Sequence, residues 1–175
     1  MIIVTSNTGK YNGILSSLKY SYVLEKPAND IVEIQSADRE EVIKNKARQA
    51  FAQIKKACLV DDFGIIFDEY PKFPGAMTKY VLATLGIKGI KDLLSVSRNN
   101  RAVIYCDTAY IDETNKIFMA SAEVSGFLDF SRKINFKGNA GVLSSIFVSD
   151  WNEYPVISHR IKALSRLENI LEKNL

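Results

Sequence analysis

One histidine, one tryptophan and two cysteines are all that this chain of 175 residues supplies of those types. Cys58 and Cys106 each sit in an apolar, strand-like run, and neither shows metal-ligand spacing. Two buried free thiols are the expectation, and a metal site built on cysteine is excluded. No apolar run approaches the roughly 18 residues of a membrane-crossing helix. Met1 leads straight into Ile2-Ile3-Val4 with no basic segment and long apolar core of a secretory leader, so a soluble, reduced, cytoplasmic protein is expected. The net charge of +3 is mild. It permits an anionic ligand without singling one out. No Lys/Arg tract and no basic patch interleaved with aromatics are visible, which disfavours a nucleic-acid partner. Also missing are internal repeats, low-complexity segments and any Pro/Gly/Ser-rich linker. One domain spanning 1–175 is the resulting expectation. What is present is a 47% apolar content, normal for a globular protein with a real core.

The hydrophobic pattern predicts an alternation of strands and helices. Met1 to Val4 reads as a short apolar strand, Thr5 to Gly9 as a turn, and Lys10 onward as a helix with Ile14, Leu15 and Leu18 on one side. Tyr20 to Ile34 reads as strand broken at Pro27 and Asn29. Ser36 or Asp38 caps a long helix from about Arg39 to Lys56, with the stripe Val42, Ile43, Ala47, Ala50, Phe51 and Ile54. A buried strand Ala57 to Val60 ends at Asp61-Asp62, and Gly64 to Phe67 forms a second one. Asp68 to Pro74 reads as a loop. A helix follows to Leu85, Gly86 stops it, and a short helix runs near Lys88 to Ser95. Ala102 to Ile111 and Ile117 to Phe130 form an antiparallel pair around Asp112-Glu113-Thr114-Asn115, with a bulge or bend at Gly126. Asn135 to Gly141 reads as loop and Val142 to Val148 as strand. Ser158 caps a last helix striped by Ile161, Leu164, Leu167, Ile170 and Leu171. This order predicts an α/β domain with an elongated, partly antiparallel sheet.

Three polar motifs at the edges of apolar strands carry chemistry. In Thr5-Ser6-Asn7-Thr8-Gly9-Lys10, small turn-formers and a glycine allow close approach of the backbone to a ligand. A cation in a first helical turn opposes the dipole, and a nearby phosphate would relieve that conflict. An ordinary strand-to-helix turn with a solvated lysine would carry the same residues. Asp61-Asp62 presents two carboxylates whose side chains, as strand neighbours, point to opposite faces. One of them, joined by Glu33, has the oxygen chemistry to hold Mg²⁺ or to orient an attacking water. A solvated turn is the plainer alternative. Ser158-His159-Arg160 holds the only histidine, at the opening of a helix where serine, imidazole and guanidinium can face one anion. A capping serine followed by two exposed polar residues is the alternative there.

Taken in order, these segments resemble the inosine triphosphate pyrophosphatase family over nearly the whole chain. The family's T/S-x-N-x-x-K pattern is similar to Thr5 or Ser6 with Asn7 and Lys10, and its E-x-Q segment to Glu33-Ile34-Gln35. A helical K-A pair resembles Lys46-Ala47, and the acidic pair with a following glycine resembles Asp61-Asp62-Phe63-Gly64. The P-G segment before an aromatic-bearing helix resembles Pro74-Gly75-Ala76-Met77-Thr78-Lys79-Tyr80, and S-H-R resembles Ser158-His159-Arg160. The resemblance implies an elongated mixed sheet flanked by helices, two lobes around a long nucleotide cleft, and a homodimer. It implies Mg²⁺-dependent cleavage of non-standard purine nucleoside triphosphates, inosine and xanthosine triphosphate, to monophosphate and pyrophosphate. It makes Asp62 and Lys10 catalytic and Glu33 and Asp62 the metal ligands. Thr5, Ser6, Asn7, Lys10, Lys79, Ser158, His159 and Arg160 would bind substrate.

The departures cluster on the base side. A family G-F-G-Y/W-D-P stretch is replaced by Asn139-Ala140-Gly141-Val142-Leu143-Ser144-Ser145-Ile146-Phe147, without the aromatic and the aspartate. Tyr154 stands where a lysine is usual, and Gly13 where a glutamate is usual. Lost base contacts relax or change selectivity, because a wrong base no longer strands buried polar groups. Two alternatives therefore stand beside the first expectation: a nucleotide-binding homologue that has lost catalysis, and a pyrophosphatase for another modified nucleotide.

Overall fold

In the computed structural model the described residues are 1–11, 14–133, 139–150 and 155–174, with side chains left aside at 139–141, 144 and 155–158. The elements are β1 (Ile2–Val4), β2 (Val23–Glu25), α1 (Arg39–Ile54), β3 (Cys58–Phe67), β4 (Tyr70–Gly75), α2 (Thr78–Ser95), β5 (Arg101–Ile111), β6 (Ile117–Leu128), α3 (Asn139–Ile146), β7 (Phe147–Ser149) and α4 (Pro155–Asn174). Seven strands form one mixed sheet of order β2-β1-β3-β5-β6-β7, with β4 also paired to β3. β1 runs parallel to β2 and β3, while β3–β4 and β6–β7 are antiparallel. The α/β class expected from the element order is the one observed. Among the described residues no helix is long and apolar enough to cross a membrane.

The chain sorts into two compact units interleaved in sequence. The first comprises Met1–Asp62, Cys106–Ala122 and Arg160–Leu175. Its strands are covered on both faces, and the period-two alternation of strand side chains decides what each face meets. Ile3 and Leu59 join Leu164, Leu167 and Leu171 of α4. Val4, Cys58 and Val60 join Ile43, Ala47 and Ala50 of α1. Asp38 starts α1 by accepting from the Glu40 and Glu41 N–H groups, and Lys55 ends it in the left-handed conformation. The second unit comprises Phe63–Tyr105 and Glu123–His159. Its core joins Ile65 and Phe67 of β3 to Val81, Leu82, Ile90 and Leu94 of α2, with Val124, Leu128 and Phe147. Gly86 breaks α2 where a stop was expected, at φ 62°, a region only glycine enters without strain.

Several expectations are corrected. Among the described residues no α-helix follows Lys10 ahead of α1. Thr8–Tyr11 and Leu15–Ser17 are single 3₁₀ turns. Gly13, Ser16 and Ser17 are poor helix formers in so short a segment. The strand expected over Tyr20 to Ile34 shrinks to Val23–Glu25. Beyond Pro27 the backbone bonds to helix side chains instead of a ladder, with Asn29 N–H donating to Gln53 and Val32 N–H to Gln49. Asp61 and Asp62 do not end a strand but lie inside the ten-residue β3, because cations meet both (below). Asp68 to Pro74 is not a loop: Tyr70–Gly75 pairs with β3, and a strand off the sheet's main path tolerates its two prolines. Val142 to Ile146 is helical, a short apolar run that periodicity cannot distinguish from strand, and only Phe147–Ser149 is extended. Gly126, where a bulge or bend was expected, marks a close approach: a Cβ there would strike the Val148 carbonyl of the paired β7, whose register runs through this point without a shift. α4 begins at Pro155, a residue suited to a first helical position, so Ser158 is inside the helix and does not cap it.

Candidate active site

β3 delivers Asp61 and Asp62 to opposite faces of the first unit, by the same alternation that sorts its core. Asp61 follows Leu59 to the α4 face, and Asp62 follows Val60 to the α1 face. Each meets a cation supplied by that helix.

On the α4 face Asp61 is 1% exposed and yet ionised. Its Oδ1 takes the Lys10 ammonium at 2.5 Å and the Tyr11 hydroxyl at 2.5 Å. Its Oδ2 accepts from Arg160 Nε at 3.0 Å. Burial alone would push this carboxyl up. Lys10, Arg160 and Lys46 outweigh it and hold Asp61 well below the usual carboxylate range. Tyr11 moves the other way: burial, then the Asp61 charge, raises its phenol, so it stays a donor. Arg160 is 3% exposed, and among the described residues its Nη1 has no hydrogen-bond partner. Lys10 and Arg160 both lie over the Tyr11 ring, at 5.4 and 5.9 Å from its centre.

On the α1 face one ammonium serves two carboxylates. Lys46 Nζ donates to Asp62 Oδ1 at 3.0 Å and to Glu33 Oε1 at 2.9 Å. Glu33 reaches this point because α1 clamps its segment. Gln49 exchanges two hydrogen bonds with the Val32 backbone, at 2.9 and 2.7 Å. Lys46, Gln49 and Gln53 stand at i, i+3 and i+7, one face of the helix. Burial pulls Lys46 toward the neutral amine, but Asp62, Glu33 and Asp61 outweigh it and keep the ammonium charged. Asp62 is pushed above the usual carboxylate range by burial, which Lys46 only partly offsets, and by the charges of Glu33 and Asp61. A further ion pair, Arg39 with Asp107 at 2.9 and 2.6 Å, fixes the start of α1 to β5.

Of the residues predicted from sequence, Lys10, Arg160, Glu33 and Asp62 all lie in the first unit on these two clusters. Thr5 is buried, and its Oγ1 accepts from the Asn7 N–H at 3.1 Å, while Ser6 and Asn7 are exposed. Among the described residues this loop leads into a 3₁₀ turn, Thr8–Tyr11, where the first turn of an α-helix was expected. Lys79 and His159 belong to the second unit. Lys79 is exposed in the first turn of α2. His159 is fully buried, its ring 5.4 Å from Phe63. The Ser158 side chain, Gly13 and Tyr154 lie outside the described residues. Sequence reasoning gave no role to Tyr11, named Lys46 only within the family's helical K-A pair, and on the residues alone left open which of Asp61 and Asp62 joins Glu33. The spacing Lys46, Gln49, Gln53 on a helix otherwise facing the core was the available signal for the clamp.

The sequence pattern of the Ham1 family matches residues 1–170. The dITP/XTP pyrophosphatase of Saccharolobus solfataricus is 28% identical, over 97% of this chain and 92% of that protein. The inosine triphosphate pyrophosphatase of Aspergillus fumigatus is 29% identical, over 97% of this chain and 92% of that one. A HAM1 protein from Coxiella burnetii shares the fold, with a TM-score of 0.77 at 18% identity, covering 98% of each chain.

Proposed function

Because this chain belongs to the Ham1 family, we propose that it is a nucleoside triphosphate pyrophosphatase. It removes non-standard purine nucleotides such as inosine and xanthosine triphosphate from the nucleotide pool, releasing monophosphate and pyrophosphate. The observation that carries this reading is the split of the acidic pair. Asp62 and Glu33 converge on one positive group, while Asp61 anchors the cations Lys10 and Arg160.

The donor set fits Mg²⁺. Glu33 and Asp62 already share one cationic partner, and Mg²⁺ is commonly held by one or two carboxylates with phosphate oxygens and waters. Bound there, Mg²⁺ neutralises charge on the triphosphate. The chain's own residues do the positioning. Lys10, 22% exposed, is open to a phosphate oxygen. The buried Nη1 of Arg160 is a donor awaiting an acceptor. Asp61 fixes both cations from behind, so they meet the ligand already oriented. Asp62 orients the water that attacks the α-phosphorus; the bond to the bridging oxygen breaks and pyrophosphate leaves. We also propose a cytoplasmic homodimer, on the family resemblance. The rebuilt segment Asn139–Phe147 favours relaxed base choice.

The test is pyrophosphate release with Mg²⁺ from a panel of inosine, xanthosine, guanosine, adenosine and deoxyuridine triphosphates. Release favouring the first two is expected, and Asp62→Asn should abolish it while the protein stays folded. Undiminished turnover by that variant refutes the assignment. Nucleotide binding without release from any substrate would establish the non-catalytic alternative.

A further inference from the structure

We infer that Lys46 is an internal competitor for the divalent cation: its ammonium holds Glu33 and Asp62 together in the metal-free protein and is displaced when a metal binds. The inference rests on the reading of Glu33 and Asp62 as metal ligands. Its ground is geometric. A single Nζ sits 2.9 Å from Glu33 Oε1 and 3.0 Å from Asp62 Oδ1, with the Lys46 and Asp62 side chains each 13% exposed. A divalent ion drawn to the same two oxygens meets the ammonium's positive charge within hydrogen-bond distance of each, so the two cations compete for the site.

The arrangement serves two ends. Without a cation between them, Glu33 and Asp62 would repel each other across a poorly hydrated gap. Glu33 is the more exposed partner at 35% and sits on an irregular segment. The ammonium, with the Gln49 clamp, keeps that segment in place. Lysine suits the task because its charge rides on a flexible four-carbon stem and can swing away, whereas a planar guanidinium binds in fixed geometry. Displacement breaks two N–H···O hydrogen bonds, forms metal–oxygen bonds, and leaves Lys46 protonated. The freed ammonium then adds a positive charge for the incoming polyphosphate. Metal and nucleotide therefore arrive most favourably together, because free metal must expel the lysine without the phosphate that rewards it.

The test uses Mn²⁺ alone, with no nucleotide, titrated into wild type, Lys46→Met and Lys46→Arg, free Mn²⁺ being read by electron paramagnetic resonance and folding by circular dichroism. Lys46→Met is expected to bind about ten-fold more tightly than wild type, equivalent to about 1.4 kcal/mol of relieved competition. Lys46→Arg, which keeps the charge, should stay within about three-fold of wild type on the same scale. Should the methionine variant not fold, Lys46→Gln takes its place. Binding no tighter in a folded neutral variant overturns the inference, as does absence of Mn²⁺ binding in every protein. Pyrophosphate release by wild type is scored separately, so the competitor role and the hydrolytic function can fail independently.

Discussion

Asp61→Asn isolates what the buried carboxylate does for the first unit. Asp61 has three donors, and they respond differently to loss of its charge. Lys10 is 22% exposed and can turn to water, so its share is small. Tyr11 can donate to the asparagine carbonyl as it does to the carboxylate. Arg160 cannot escape: it is 3% exposed and its Nε contact to Asp61 at 3.0 Å is its partner there. Breaking a buried ion pair from one side costs about 3–5 kcal/mol. The acceptor that asparagine retains puts the expected loss near the lower end, about 3 kcal/mol. For a chain of this size each kcal/mol lowers the melting temperature by about 2–4 °C, so a fall of about 6–12 °C is expected. Asp62→Asn leaves Lys46 with Glu33, and its cost should be about 1 kcal/mol, in the ordinary range for substitutions. Urea denaturation of wild type and both variants measures the difference. The pH dependence carries its own sign. A carboxyl held low in the folded state contributes stability that is complete above its unfolded value of about 3.9 and fades as pH falls below that. The gap between wild type and Asp61→Asn should therefore stay constant from pH 8 to about pH 5 and narrow only in stronger acid. A loss below about 1 kcal/mol in a folded Asp61→Asn, or a gap that closes near neutral pH, would refute the placement of Arg160 on Asp61.

Gly126→Ala places a methyl group against the Val148 carbonyl across the β6–β7 pairing. Backbone cannot rotate away as a side chain can, so a loss of about 1–3 kcal/mol or more is expected by thermal denaturation. The thiols should be silent in the folded protein. Both are fully buried, and burial pushes Cys58 up to about 12 and Cys106 higher still, so a thiol reagent at pH 8 should label neither in native protein and both in urea.

Where charge and backbone pairing agree, the sequence was legible. α1 follows from its apolar stripe and the Asp38 cap, α4 from its stripe alone, and the β5–β6 hairpin and the stop at Gly86 from turn residues at their ends. The helix expected after Lys10 and the strand expected over 142–148 were lost where short segments take their form from neighbours and not from their own pattern. β3 is the instructive failure. Two adjacent acids inside an apolar strand conflict with every local preference, and a local reading ends the strand there. The strand continues because residues distant in sequence supply the charge: Lys10 and Arg160, the latter 99 positions away, on one face, and Lys46 on the other. Such compensation leaves no local trace, which is why the cations on Asp61 and the bridging position of Lys46 could not be read from the sequence. It also explains why the violation is kept. A strand carried through both acids by cations on its two faces presents its second acid in a fixed place, beside a carboxylate from another segment. A turn at the same position would leave that acid free to move in solvent.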